Sequence, residues 1–184
     1  LALRQPVYRT VTDELALSLV GEHLYLKTTS AFDAPGLPSL FIPGSSTTGV
    51  ATVSALRFLQ EYTHRSPSFV FAALSRFSVG LDVLGATTNS GPLPDGQFFS
   101  WLGQAQAVKR LEDWWGVQLL GRVAAQVAND RLFPLEQMPV GGRFSVRGYR
   151  ENTPVRDDAV LASFESRFPL LRFASGEDRL QFAQ

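Results

Sequence analysis

Apolar and polar residues alternate along most of this chain with a period of two, which is the pattern of a β-strand with two different faces. In FVFAALSRFSVGLDV, for example, Phe77 and Val79 alternate with Arg76 and Ser78. The same alternation recurs in GVQLLGRVAAQVAND and in AVLASFESRFPLL. Together with the turn residues, it predicts about eight strands, at residues 2–9, 14–27, 49–64, 68–83, 98–111, 115–130 and 157–171, with a last one that starts near 179.

The predicted strands are long, and their connections alternate in length. Several strands exceed the ~5–6 residues usual in soluble proteins and reach the ~9–11 residues that a tilted transmembrane strand needs. The short connections lie near 12 and at 64–67 and 112–115, and the long ones, rich in glycine, proline, serine and threonine, at 28–48, 84–97 and 132–156. Short turns on one rim and long loops on the other are typical of an outer-membrane β-barrel.

This layout predicts an all-β fold, an antiparallel transmembrane β-barrel segment that occupies residues 1–184 as one partial domain. A soluble β-sandwich also alternates, but its strands are usually shorter and nothing keeps its long loops on one rim. Several aromatic residues near strand ends fit a girdle at the membrane interface, although they fit an ordinary core as well. They are Phe98, Phe99, Trp101, Trp114 and Trp115.

Composition and charge exclude several classes of partner. The chain has 17 basic and 17 acidic residues, so its net charge gives no electrostatic argument for binding nucleic acid. It contains no cysteine, which excludes disulfides, thiolate metal sites and a cysteine nucleophile. His23 and His64 lie far apart in sequence without an acidic cluster at ligand spacing, and no metal site is predicted.

Enzyme motifs are absent or incomplete. GSSTTG at 44–49 has the glycine spacing of a phosphate loop, but Val50 follows it instead of lysine and a hydroxyl residue. Asp157 and Asp158 are adjacent, so on a strand they would point to opposite faces and could not share a proton. There is no G-x-S-x-G motif. The sequence therefore predicts no catalytic residue and no cofactor.

The segment VGGRFSVRGYRE, at 140–151, places an arginine in a glycine-rich loop. Gly141 and Gly142 can adopt backbone angles closed to other residues, and Gly148 allows a tight turn directly after Arg147. An arginine presents a planar fork of donors that suits a carboxylate. Glu165, on the polar face of the next strand, is the candidate partner, and a solvated Arg147 on a surface loop is the alternative.

The same segment carries a resemblance to a known family. SVRGYRE, followed by RDDAVLASFESRFPL, resembles the sixth extracellular loop and the next strand of two-partner secretion transporters, the haemolysin secretion/activation (TpsB-type) proteins. These are relatives of the BamA-type barrel assembly factors. Other stretches are similar to that family too, among them LRQPVYRT, RFLQEYTHRSP, FSVGLDVLGAT, DGQFFSWLGQAQ and LFPLEQMPVGG.

The resemblance implies a pore in the outer membrane of a Gram-negative bacterium. It would export a large unfolded partner exoprotein, lie in outer-membrane lipid, and follow periplasmic POTRA domains and a plug helix encoded upstream. The loop motif would consist of Gly141, Gly142, Val146, Arg147, Gly148 and Tyr149. Its arginine would reach into the lumen and pair with inner-wall acids, of which this chain carries Glu165.

Other polar wall residues would line the lumen and make weak contacts of mixed sign to a passing chain, or simply hydrate the wall. They are Arg57, Glu61, Arg76, Arg122, Gln126 and Arg167. A BamA-type insertase shares the loop motif and is the main alternative function. A porin-like diffusion channel and a soluble β-protein that binds a partner are further alternatives.

The number of strands sets a condition on the fold. About eight strands cannot close the wall of roughly sixteen that the resemblance implies. The segment by itself is therefore expected to be an open curved sheet with two unpaired edges, which a lipid phase does not tolerate.

Overall fold

The computed structural model describes residues 1–27, 44–46, 49–114, 116–139 and 155–169. In this part of the chain the regular elements are all strands. They are β1 (Ala2–Arg9), β2 (Asp13–Lys27), β3 (Val50–Arg65), β4 (Phe69–Leu81), β5 (Phe99–Leu111), β6 (Val117–Ala128), β7 (Met138–Pro139), β8 (Val155–Arg156) and β9 (Ala159–Arg167). None of the described residues belongs to a helix long and apolar enough to cross a membrane.

Seven of these strands form one antiparallel sheet in the order β1-β2-β3-β4-β5-β6-β9. Every neighbour in the sheet is also the next long strand in the chain, and among the described residues β1 and β9 form its two open edges. The prediction of an all-β, antiparallel and open sheet is confirmed. Each of the seven strands begins within two residues of its predicted start, whereas the strand predicted near 179 lies outside the described residues.

The connections define two rims of the sheet. The connections 10–12, 66–68 and 112–116 join strands at one end of the sheet, the short-turn rim, and the connections 28–49, 82–98 and 129–158 join strands at the opposite end, the long-loop rim. The last of these connections contains β7 and β8, which pair with each other as a separate two-stranded ladder. Strands this short carry no alternation, and for that reason the sequence pattern did not predict them.

The hydrogen-bonding register sorts the strand residues into two faces, because directly opposed residues of antiparallel strands lie on the same side. On one side, Phe58 opposes Phe77 and Phe77 opposes Trp101. We call this side the outer face. Its large apolar side chains are exposed across the whole sheet, among them Leu19, Leu56, Phe58, Val79, Phe99, Val123, Val160 and Phe164. Such a continuous apolar surface is typical of a lipid-facing wall.

Trp101 and Gly103 fit together on the outer face. The Trp101 indole nitrogen donates to Ser75 Oγ at 3.0 Å, and a Cβ on Gly103 would meet two ring carbons of Trp101 at 2.6 Å. We expect Gly103→Ala to displace the ring, break its hydrogen bond and destabilise the protein by about 1–3 kcal/mol. Urea unfolding in lipid vesicles, followed by tryptophan fluorescence, measures the change.

Gly121 is the matched control for this substitution, because it lies on the outer face of the neighbouring strand and a Cβ there has no atom within 4 Å. We expect Gly121→Ala to change the unfolding free energy by less than about 0.5 kcal/mol. Equal effects of the two substitutions would mean that the Trp101 contact is not what Gly103 provides.

The buried apolar core lies on the opposite side, which we call the inner face. It joins Ala51, Val53 and Ala55 of β3 to Phe98, Leu132 and Phe133 from two long connections. These connections therefore fold back over the inner face near the long-loop rim. Phe98, only 4% exposed, belongs to this core, so of the girdle and the core that its position allowed it occupies the core.

The remaining predicted girdle residues behave differently from Phe98. Phe99 lies on the outer face and stacks on Phe77, with 6.2 Å between ring centroids. Trp101 shares that face, and Trp114 is exposed at the short-turn rim. The side chain of Trp115 lies outside the described residues.

Candidate functional site: the inner face and the root of a long loop

The register brings the predicted wall residues together on the inner face. Arg57 opposes Ser78, while Arg76 lies between Leu59 and Leu102. The remaining pairings extend the face across the sheet: Glu61 with Leu74, Leu102 with Gln126, Gln106 with Arg122, Leu120 with Glu165, and Gln118 with Arg167. Residues from four strands thus share one surface, as their alternation with apolar residues requires.

A buried ion cluster occupies this face, centred on Arg57. The guanidinium donates from NH1 and NH2 to the two carboxylate oxygens of Glu136, at 2.9 and 2.6 Å. It also donates from Nε to Glu22 Oε2 at 2.9 Å and from NH1 to Ser78 Oγ at 3.0 Å. The side chains of Arg57 and Glu136 are only 7% and 2% exposed. Glu136 lies near the start of the connection 129–158, which we call the long loop. We call Arg57, Glu136, Glu22 and Ser78 the root clamp, because they attach this start, the root of the loop, to the wall.

The clamp corrects the expected role of Arg57. We expected weak contacts to a passing chain or simple hydration, but the guanidinium is buried and donates four hydrogen bonds to three neighbours. Its partner Glu136 was missed because alternation ends before residue 132. One signal was available: Glu136 is the single acid in the otherwise uncharged stretch LFPLEQMPVGG. An isolated carboxylate among apolar residues needs a partner when it is buried.

Further hydrogen bonds attach the two ends of the long loop to each other and to the wall. Gln126 is buried, and its amide nitrogen donates to the backbone oxygens of Glu136 and Asp157 at 3.0 and 3.3 Å. A carboxylate oxygen of Asp157 accepts from the Leu132 backbone nitrogen and from Gln137 Nε2, both at 2.9 Å. The two ends of the connection are therefore joined to each other and to the wall.

Asp157 and Asp158 precede β9 instead of lying on a strand. Asp158 accepts a hydrogen bond from the Ala128 backbone nitrogen at 2.8 Å, so each of these carboxylates binds backbone at the loop root.

A second ionic cluster lies closer to the short-turn rim. Arg4 donates to Glu14 and to Glu61, each at 3.0 Å. The Arg4 side chain is about half exposed, and such a solvent-screened pair contributes little to stability. Glu61 is therefore paired within the wall, but in a setting where water competes for both charges.

The other predicted wall residues differ in their surroundings. Within the described residues, Nε of Arg76 is buried and has no hydrogen-bond partner. Arg122 lines a cavity of about 550 Å³ together with Gln104, Gln106 and the β7 residues Met138 and Pro139. Arg167 donates to Glu165 at 3.3 Å on the same strand. Residues of β7 and residues of the wall thus line the same cavity.

The loop motif itself lies outside the described residues. It comprises Gly141, Gly142, Val146, Arg147, Gly148 and Tyr149. The pairing of Arg147 with Glu165 stays a prediction.

The two histidines are engaged in local hydrogen bonds. His23 Nδ1 lies 2.9 Å from Ser54 Oγ, and His64 Nδ1 lies 2.8 Å from Asp13 Oδ1, which also accepts from the Tyr62 hydroxyl. Across the described ranges, histidine, aspartate and glutamate side chains do not form any group of three that could hold a metal ion.

An apolar outer face, a polar inner face and long loops on one rim define the wall of an outer-membrane β-barrel. The sequence model of the haemolysin secretion/activation proteins ShlB/FhaC/HecB matches residues 47–177. The chain therefore belongs to this family, and it is a segment of a protein of the Gram-negative outer membrane.

Two comparisons with individual proteins agree with the family. The outer membrane transporter CdiB of Escherichia coli O6:K15:H31 (strain 536 / UPEC) is 34% identical over 96 residues, which cover 50% of this chain and 16% of that protein. The solved structure of CdiB from Escherichia coli matches the fold with a TM-score of 0.74 at 22% identity, over 94% of this chain and 30% of the other. This chain therefore spans only a part of the relatives that it matches.

Proposed function

We propose that this chain forms part of a pore that exports a large unfolded partner exoprotein, of the haemolysin or adhesin type, from the periplasm to the cell exterior. The observation that carries the proposal is the root of the long loop, which is fixed on the inner face of a barrel wall by Arg57 and Glu136. A loop anchored there starts inside the wall and can act on whatever passes through the lumen.

The inner face suits a conduit more than a catalyst. Its polar groups are spread over all seven strands of the sheet instead of converging on one reactive atom, and the chain has no nucleotide motif. Transport would therefore draw on folding of the exoprotein outside the cell, and the full-length transporter would carry POTRA domains before the barrel. The outer face would lie in outer-membrane lipid.

Within this function, we assign to Arg147 the role of holding the loop in a secretion-competent position by pairing with Glu165. Two observations support the assignment. Glu165 lies on the inner face opposite Leu120, and β7, which precedes the motif, borders the cavity lined by Arg122 on that face. A planar guanidinium is the group best suited to bidentate pairing with a carboxylate.

Substitution of Arg147 in the full-length transporter tests the proposal. Because Arg147→Ala removes the guanidinium that would hold the loop in its secretion-competent position, we expect it to lower export of the partner exoprotein at least about tenfold. The measurement is the amount of exoprotein released into the medium, with heat-modifiable electrophoretic mobility as proof that the barrel is folded. Arg143→Ala, in the same loop but outside the motif, is the matched control.

Other results would assign other functions. Normal export with failed assembly of other outer-membrane proteins would favour a BamA-type insertase. Steady conductance of small solutes without export of any exoprotein would favour a porin-like channel. Folding of the full-length protein in buffer without detergent or lipid would exclude the membrane barrel.

A further inference from the structure

We infer that Glu136 and Arg57 are positioning residues. Their ion pair fixes the point along the inner wall at which the long loop begins, and thereby sets the position of its glycine and arginine motif in the lumen. The inference rests on the proposed function and names the anchor that this function requires. Neither residue would bind the exoprotein, because both side chains are almost completely buried and paired with each other.

The geometry of the pair makes it a firm attachment. Both guanidinium NH groups of Arg57 meet both carboxylate oxygens of Glu136, at 2.9 and 2.6 Å, which is the bidentate arrangement of the strongest charge-assisted hydrogen bonds. The pair is almost completely buried. Loss of Glu136 takes from Arg57 one of its two carboxylate partners, and loss of Arg57 leaves the buried Glu136 carboxylate without this cation, which costs more than the loss of an exposed ion pair.

The position of Glu136 gives the pair control over the loop. Glu136 lies directly before β7, and β7 pairs with β8 at the other end of residues 140–154. The Gln126 amide binds the backbone of both ends, at Glu136 and at Asp157. When Glu136 leaves Arg57, the loop loses its buried ionic contact to the wall, while the hydrogen bonds of Gln126 and the packing of Leu132 and Phe133 remain.

The wall itself does not depend on Glu136. Without that carboxylate, Arg57 retains Glu22 at 2.9 Å and Ser78 at 3.0 Å, and the pairing of β3 with β4 is made by backbone groups. Loss of Glu136 is thus expected to release the loop root while the barrel stays folded. This separates a positioning role from a purely structural one.

The test uses the full-length transporter in outer-membrane vesicles, with variants Glu136→Gln, Arg57→Gln and the double variant. Trypsin cleavage after Arg143, Arg147 and Arg150 reports release of the loop without reference to export. Because the population of the locally opened state rises exponentially with the free energy lost, we expect at least about tenfold faster cleavage in each single variant. In the double variant we expect no further increase, because both substitutions remove the same interaction.

Glu61→Gln is the matched control, since it makes the same change of side chain on the inner face of β3, where Glu61 pairs with Arg4 at 3.0 Å. We expect its cleavage rate to stay close to that of the unsubstituted protein. Equal acceleration by Glu61→Gln, or unchanged cleavage in Glu136→Gln with the barrel folded, would overturn the positioning role. Faster cleavage in Glu136→Gln, in a protein that exports nothing even without substitution, would keep the anchor and overturn the proposed function instead.

Discussion

Arginine in place of Ala73 is expected to destabilise the membrane-inserted barrel by about 2–4 kcal/mol, whereas arginine in place of the adjacent Ala72 is expected to cost under ~1 kcal/mol. Ala73 lies on the outer face, where it opposes Tyr62 and Ala105. Ala72 lies on the inner face, where it opposes Thr63 and Gln106. A guanidinium at 73 would enter lipid, but at 72 it would join polar neighbours and water.

Ala72→Arg is a close control, because the two substitutions share residue type, strand and depth and differ only in the face. Reversible urea unfolding of the full-length transporter in phospholipid vesicles measures both. The level of heat-modifiable protein in the outer membrane gives a second reading, which we expect to fall for Ala73→Arg. Equal tolerance of arginine at both positions would contradict the assignment of the outer face to lipid.

Truncation of Phe133 to alanine is expected to cost about 3–5 kcal/mol, the usual range for a large aromatic side chain in a packed core. Phe133 is 1% exposed and lies with Leu132 and Phe98 against the small residues Ala51 and Ala55 on β3. Small wall residues leave room for the ring, so its removal opens a cavity that the rigid strands cannot close. The same unfolding measurement detects the loss.

Leu135→Ala is the control for Phe133→Ala, because Leu135 belongs to the same connection but is 47% exposed. We expect it to change the unfolding free energy by less than ~1 kcal/mol. A similar loss for both variants would indicate a general effect of the connection. In that case the apolar core on the inner face would not be what holds it.

The sheet could be predicted from alternation because each strand residue faces either lipid or the lumen, and the residue type at each position indicates which of the two. Arg57 and Glu61 were predicted to share a face, and the register places both on the inner face. Phe98 precedes its strand, where alternation no longer indicates the face. Its position before a strand fitted a membrane interface as well as a core, and the connection folds inward and buries it beside Leu132 and Phe133.

The pairing of Glu136 with Arg57 could not be predicted from a periodic pattern. Glu136 lies 79 residues from Arg57 in sequence, and no local rule joins a carboxylate in a loop to an arginine on a distant strand. The pairing depends on how the long connection folds back over the wall. That path is fixed by burial of Leu132 and Phe133 and by the Asp157 carboxylate, which binds backbone and side chain at the root.

The sequence by itself determined the fold class, the order and starts of seven strands, their two faces and the resemblance to a family of transporters. All of these depend on local alternation, turn residues or short motifs. Only the tertiary structure decided that the loop root lies on the inner wall and that Arg57 serves as its anchor. The reason is physical: a buried charge needs a partner of opposite charge close to it in space, and the separation of two side chains in space cannot be read from their positions in the sequence.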